Sequence, residues 1–218
     1  MVLAPFLLIR PFPFEVHNFQ AAFASIEGLG LLVMFVRRRK ALYGTLARIR
    51  SKVGVVFQDS DEQLFMPTVL EDVAFGPLNQ GLPPERAIET AKTALEQAGM
   101  EHALAKAPYH LSAGEKRRVA LAGVLAMQPE ILVLDEPTTF LDPPAQANLL
   151  HLLAGLPQAK LIVTHHTRFA AELSTRAVFF EKGKLVADGP VQEIVQRFDW
   201  IYPALDAADL RYSAQRRF

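Results

Sequence analysis

The chain has 218 residues, 50% apolar and 21% charged, enough to bury a core and to form one large domain or a domain with a subdomain. It contains no cysteine, which excludes a disulfide framework and thiolate metal sites and suits a reducing compartment such as the cytosol. The formal net charge is zero, yet the first 52 residues carry eight Lys/Arg against Glu15 and Glu27, while the remainder carries 15 against 21 acids. That asymmetry fits either a basic tail for membrane or nucleic acid, or a segment of different origin.

Residues 1–9 are apolar but lack the positive leader of a secretory signal. The longest apolar run, residues 29–36, is closed by Arg37, Arg38, Arg39 and Lys40 and falls short of the roughly 18 to 20 apolar residues of a spanning helix. Any work at a membrane is therefore expected to go through a partner. From Lys52 onward, short apolar runs alternate with helical stretches, the pattern of a parallel sheet covered by helices in an α/β fold. Strands are predicted at residues 53–57, 131–134, 161–163 and 177–180, with a turn at Lys182, Gly183 and Lys184 leading into a hairpin. Between the first two strands lies a helical insertion, about residues 68–127. Within it Ala87, Ile88, Ala91, Ala94, Leu95 and Ala98 recur at helical spacing before the stop at Gly99, as in a packing helix.

The chemistry-bearing residues sit at the ends of these elements. Asp135 and Glu136 close a buried strand at the carboxyl edge, where ligands of open α/β sheets bind. One acid there can hold Mg²⁺ and a second can take a proton from an attacking water, although apolar runs ending in Asp-Glu also arise by chance. Ser112 and Glu115 form a capping box, which suffices as a structural account. The same helix end leaves backbone N–H groups facing outward as an anion site, with Gly114 small enough for a close phosphate. Gln58 follows the first strand, where its amide could reach a metal or water or simply be a polar loop residue. His165 ends the third strand, where a neutral imidazole can hydrogen-bond phosphate. A His165–His166 metal pair is disfavoured, because neighbours on a strand point to opposite faces.

The order of these signals is more specific than any one of them. Gln58, then LSAGE at 111–115, ILVLDEPT at 131–138, Leu141-Asp142 and VTHH at 163–166 resemble the successive motifs of ATP-binding-cassette (ABC) ATPases. The stretches at 57–65 and 71–79 look like the ATPases of energy-coupling-factor importers. Residues 109–111 and 115–120 fit the cobalt/nickel branch best.

That resemblance implies Gln58 as the glutamine-loop residue, able to touch Mg²⁺ and the attacking water, and Asp135 as the Mg²⁺-binding acid. It implies Glu136 as general base and His165 as the switch histidine. Ser112, Ala113, Gly114 and Glu115 would cap ATP held by a second cassette subunit, and Asp142 would lie at the contact between the two. It also implies a transmembrane coupling protein, a substrate-binding membrane component, a peripheral place on the cytoplasmic face of the membrane, and no nucleic acid. A soluble cassette of DNA repair or translation is disfavoured, because the chain has neither long insertions nor tandem cassettes. Ala113, where the family usually has Gly, and Phe140 are mild departures.

One departure is severe. The phosphate-cradling loop G-x-x-x-x-G-K-[ST] is absent from these 218 residues; the one Gly-Lys pair, Gly183-Lys184, lies in the late hairpin. The place where the family keeps that loop reads Pro-Phe-Glu-Val-His-Asn at 13–18. A basic run at 37–40 after a strand at 31–36 is a weak substitute, since flexible cations do not reproduce a nest of amides. Residues 1–42 are therefore expected to be an unmatched segment, out of register with an ancestral gene, whose loss of a strand strips a central partner from the sheet. Residues 43–199 are expected to form the cassette domain and 200–218 a tail. Either the chain is an importer ATPase damaged at its start, or it is a non-hydrolysing subunit that completes a partner's ATP site in trans.

Overall fold

The computed structural model describes residues 6–9 and 49–198. The strands are β1 (Phe6–Ile9), β2 (Val53–Val56), β3 (Ile131–Asp135), β4 (Ala159–Thr164), β5 (Arg176–Glu181) and β6 (Lys184–Pro190). The helices are α1 (Val69–Asn79), α2 (Pro84–Gln97), α3 (Ala113–Ala126), α4 (Pro143–Gly155), α5 (Thr167–Leu173) and α6 (Val191–Phe198).

The strands form one sheet in the order β2-β3-β4-β1-β5-β6. β2, β3 and β4 run parallel, each β-rich run being joined to the next through helices. Leu132, Val133 and Leu134 are all buried, as a strand covered on both faces requires. The predicted hairpin is present: β5 and β6 are antiparallel, and Lys182 and Gly183 both take positive φ in the two-residue turn. The predicted insertion folds as α1, α2 and α3 packed on one another, and α3 also touches β2. Its core includes Val69, Val73, Ala91, Leu95, Val119 and Leu121.

One expectation is corrected. The sheet is not left without a partner between β4 and β5, because β1 fills that position and pairs with both. It runs antiparallel to each, so β4 and β5 themselves point the same way. Backbone pairing explains the fit: an extended segment satisfies the facing N–H and C=O groups in either direction. The reversed direction has a consequence for the site. Phe6 pairs with Thr164 at the carboxyl edge, while Ile9 pairs with Leu161 and Arg176 at the opposite one. Ile9 thus sits farther from the edge that carries Asp135 and Glu136 than Phe6 does. The basic run at 37–40, the strand at 31–36, the stretch at 13–18 and the tail lie outside the described residues.

Candidate functional site

β3 delivers Asp135 and Glu136 to the carboxyl edge of the sheet. The backbone turns at Glu136, whose φ of 40° is unusual for a residue with a side chain and costs on the order of 1 kcal/mol or more. The turn is held because the Glu136 N–H still donates to the Val163 carbonyl at 2.8 Å. The carboxylate is thereby directed at the end of β4. Its Oε2 accepts from the Thr164 hydroxyl at 3.1 Å, and its Oε1 accepts from the His165 N–H at 3.1 Å and lies 2.8 Å from His165 Nδ1. Thr164 is fully buried, and its hydroxyl in turn accepts from the His166 N–H at 3.0 Å.

Asp135 is different. Among the described residues nothing hydrogen-bonds its carboxylate, and burial, reinforced by the Glu136 charge, pushes its pKa up, with Arg117 pulling the other way. Two acids in succession, one without a partner, make a site that a divalent cation would relieve. In that sense the residues fit Mg²⁺.

The two histidines part company just beyond β4. His165 turns to Glu136, whereas His166 caps α5, its Nδ1 accepting from the Phe169 N–H at 3.1 Å. Burial lowers the His166 pKa and so keeps the ring neutral, as an acceptor must be. They lie after the strand rather than on it, so cap geometry, not strand alternation, is what separates them.

The second part of the site is the start of α3. The capping box is formed: Glu115 N–H donates to Ser112 Oγ at 3.3 Å, and the Ser112 N–H and hydroxyl both donate to Glu115 Oε2 at 2.8 Å. These bonds from Ser112 hold the Glu115 pKa below its usual value. Asp142 caps α4 in the same manner, accepting from the Ala145 N–H at 2.9 Å. The two capped ends are neighbours. Ser112, Ala113, Gly114, Glu115, Phe140 and Asp142 line one open cavity of about 320 Å³. A Cβ on Gly114 would sit 3.1 Å from the Ala145 Cβ, so its smallness also serves the packing of α3 on α4. Phe140, with φ 63°, is 77% exposed at the rim.

Gln58 lies in the exposed turn after β2. It is Gln63 that closes this turn, accepting from the Phe57 N–H at 3.2 Å and donating to the Val55 carbonyl at 3.3 Å. The structure brings Glu136 and His165 into contact and gathers Ser112–Glu115 with Asp142 at one cavity. Thr164, Gln63 and Arg117 were missed in the sequence. Thr164 stood one place from a recognised histidine, which was the available signal.

Residues 34–139 match the family model described as ABC transporter. Over this stretch the sequence is similar to the ATPase domain of ABC transporters. The match takes in Gln58, the start of α3 and Glu136, and stops short of Asp142 and His165. An ABC transporter ATP-binding protein of Geobacter sulfurreducens is 53% identical over 150 residues, covering 69% of this chain and 60% of the relative. An energy-coupling factor transporter ATP-binding protein of Methanothermobacter thermautotrophicus is 47% identical over 152 residues, 68% of this chain and 49% of the relative. The solved structure of cbiO1 from Clostridium perfringens, part of the ABC transporter complex cbiONQ, superposes with a TM-score of 0.65 at 34% identity. It covers 73% of this chain and 65% of that one. The chain thus spans about three fifths of the length of the curated relatives it matches. Among the described residues no helix is long and apolar enough to cross a membrane.

Proposed function

We propose that this chain is an ATP-binding and ATP-hydrolysing subunit of a membrane importer of the energy-coupling-factor type, with cobalt or nickel ions as cargo. The observation that carries the reading is the Asp135, Glu136, Thr164 and His165 cluster at the carboxyl edge, in a chain that also keeps the capped α3 end. Its likeness to the Methanothermobacter subunit and to cbiO1 supports the importer class. The metal-ion cargo rests on the resemblance at 109–111 and 115–120 alone.

In this reading Asp135 and Gln58 hold Mg²⁺, Glu136 orients and deprotonates the attacking water, and His165 steadies Glu136. Magnesium ATP would supply the transferable phosphoryl group and the cation that neutralises it. Ser112, Ala113, Gly114 and Glu115 present the α3 N-terminus to ATP on a second cassette, with Asp142 at the contact. The partners are that second cassette, a transmembrane coupling protein and a substrate-binding component, and the place of work is the cytoplasmic face of the membrane.

A second reading is favoured by one observation: the phosphate loop is absent from these 218 residues, while the α3 end and Asp142 are intact. Such a chain lends its capped end to a partner and hydrolyses nothing at its own edge. Calorimetry and phosphate release separate the two. Micromolar Mg·ATP affinity with steady turnover by the chain alone supports the first reading; weak binding without turnover, together with activity in a mixed dimer with an intact homologue, supports the second. Residues 1–42 are read as out of register, and translating the other frames of the DNA for a G-x-x-x-x-G-K-[ST] stretch before Tyr43 checks that directly.

A further inference from the structure

Arg117 is the odd residue of α3. A guanidinium only 3% exposed is costly to bury, because its charge loses hydration that protein groups must replace. Its two terminal nitrogens donate to the backbone carbonyls of Phe57 and Gln58, while Nε is buried without a hydrogen-bond partner. Among the described residues no carboxylate pairs with it directly; Asp59 and Asp135 act on it through the field. The fork therefore serves the turn after β2 rather than an ion pair. One residue earlier, Lys116 Nζ reaches Asp61 Oδ1 at 2.6 Å. Two consecutive α3 side chains thus grip a single five-residue stretch from both ends. The turn is stiff in itself, closed by Gln63 and by the Asp61 N–H donating to the Asp59 carboxylate at 2.9 Å. Below the grip, β2 and α3 are in close contact, since a Cβ on Gly54 would meet Val124 Cγ1 at 2.2 Å. The same first turn of α3 carries Ser112 and Gly114 at the open cavity.

We propose that Arg117 is a positioning residue that locks the Gln58 turn to the capped end of α3, so that an anion captured at Ser112–Gly114 resets the placement of Gln58. The coupling is reciprocal, and it reaches Gln58 because the bonds from the helix side chain hold the turn backbone that carries this residue. A planar fork suits the two successive carbonyls, because its donors are fixed relative to one another, whereas an ammonium on a flexible stem must give up more freedom to hold both. The proposal rests on the reading that a partner's nucleotide meets the α3 end.

Amide hydrogen exchange on the full chain tests it in two arms. In the free chain, the amides of Phe57, Asp61 and Gln63 are expected to open together with those of Glu115 and Lys116, with the same urea dependence. Arg117→Met is expected to release the turn amides into a separate opening at least tenfold more frequent, leaving α1 and α2 unchanged, and Arg117→Lys to restore part of the protection. Separate openings in the unsubstituted chain, or a turn that is unmoved by Arg117→Met, overturn the lock.

The second arm adds an intact homologous cassette with the non-hydrolysable analogue AMP-PNP and magnesium. Protection is expected at both 113–116 and 57–63 in the unsubstituted chain. In Arg117→Met it should persist at 113–116 and disappear at 57–63, a decoupling that a merely stabilising arginine would not produce. Equal protection of both stretches in Arg117→Met overturns the transmission. Should neither stretch respond in the unsubstituted chain, the trans-capping reading fails and resetting by a captured anion fails with it, while the first arm still decides the lock.

Discussion

At the carboxyl edge of β3, Glu136 reaches Thr164 and His165 across 28 and 29 positions of sequence, whereas at the start of α3 Ser112 and Glu115 satisfy one another across three. The first region is half-buried, turned through a positive φ, and carries an unpartnered acid beside a second. The second is exposed, regular and closed by a capping box. Uncompensated buried charge costs stability and marks a candidate ligand site, whereas a helix end closed by its own capping box stands with or without a ligand.

The largest expected effect separates the two regions by function. In a mixed dimer with an intact homologue, Ser112→Arg should lower phosphate release on the order of 10²-fold or more, by filling the approach to the α3 amides. Glu136→Gln in this chain should lower that turnover as well under the hydrolysing reading and leave it nearly unchanged under the trans-only one. Equal losses from both substitutions would show that this chain's own edge also hydrolyses ATP, and the importer-ATPase reading would stand over the trans-only one.

Next comes stability. Thr164→Val removes a buried hydroxyl from between Glu136 and the His166 N–H, leaving both less satisfied, and should cost about 1–3 kcal/mol in urea unfolding. Ser112→Ala removes only an exposed cap and should cost about 1 kcal/mol. A Ser112→Ala cost equal to that of Thr164→Val would erase the contrast between the regions.

A pH profile sharpens it further. The His166 pKa is lowered in the folded state, so below about 6.5 the unfolded chain takes up a proton that the folded chain refuses. This contribution is whole above that pH and is lost as pH falls toward the lowered folded value, below which the loss levels off. His166→Asn keeps an acceptor at the cap of α5 and should flatten the slope in chemical unfolding between pH 7 and 5. An unaltered slope assigns it to another group.

Asp135→Asn should have the smallest effect. The Asp135 pKa is raised, so the folded state holds its proton longer than the unfolded one and stability from this group declines as pH rises from about 4 through the raised value. Removing the charge should therefore leave stability at neutral pH unchanged or higher by a few tenths of a kcal/mol, as expected of a residue kept for function. A clear loss of stability would mean that Asp135 is structural.

Elements and caps were legible before any coordinates, because periodicity and capping are rules of short sequence separation. The strand ending at Asp135, the helical insertion, the hairpin at Lys182-Gly183 and the Ser112–Glu115 box all follow from residues within a few positions of each other. What only the tertiary structure decided are the contacts between elements: Thr164 and His165 on Glu136, Arg117 on the Gln58 turn, Gly114 against Ala145, and β1 in the slot between β4 and β5. Each depends on where a turn aims a side chain or which extended segment wins a place in the sheet. A hydroxyl, a guanidinium or four apolar residues carry no mark in sequence of the distant backbone they will meet. Hydrogen-bonding capacity is the same for many partners, and only the packed arrangement of β2, β3, β4 and α3 selects among them.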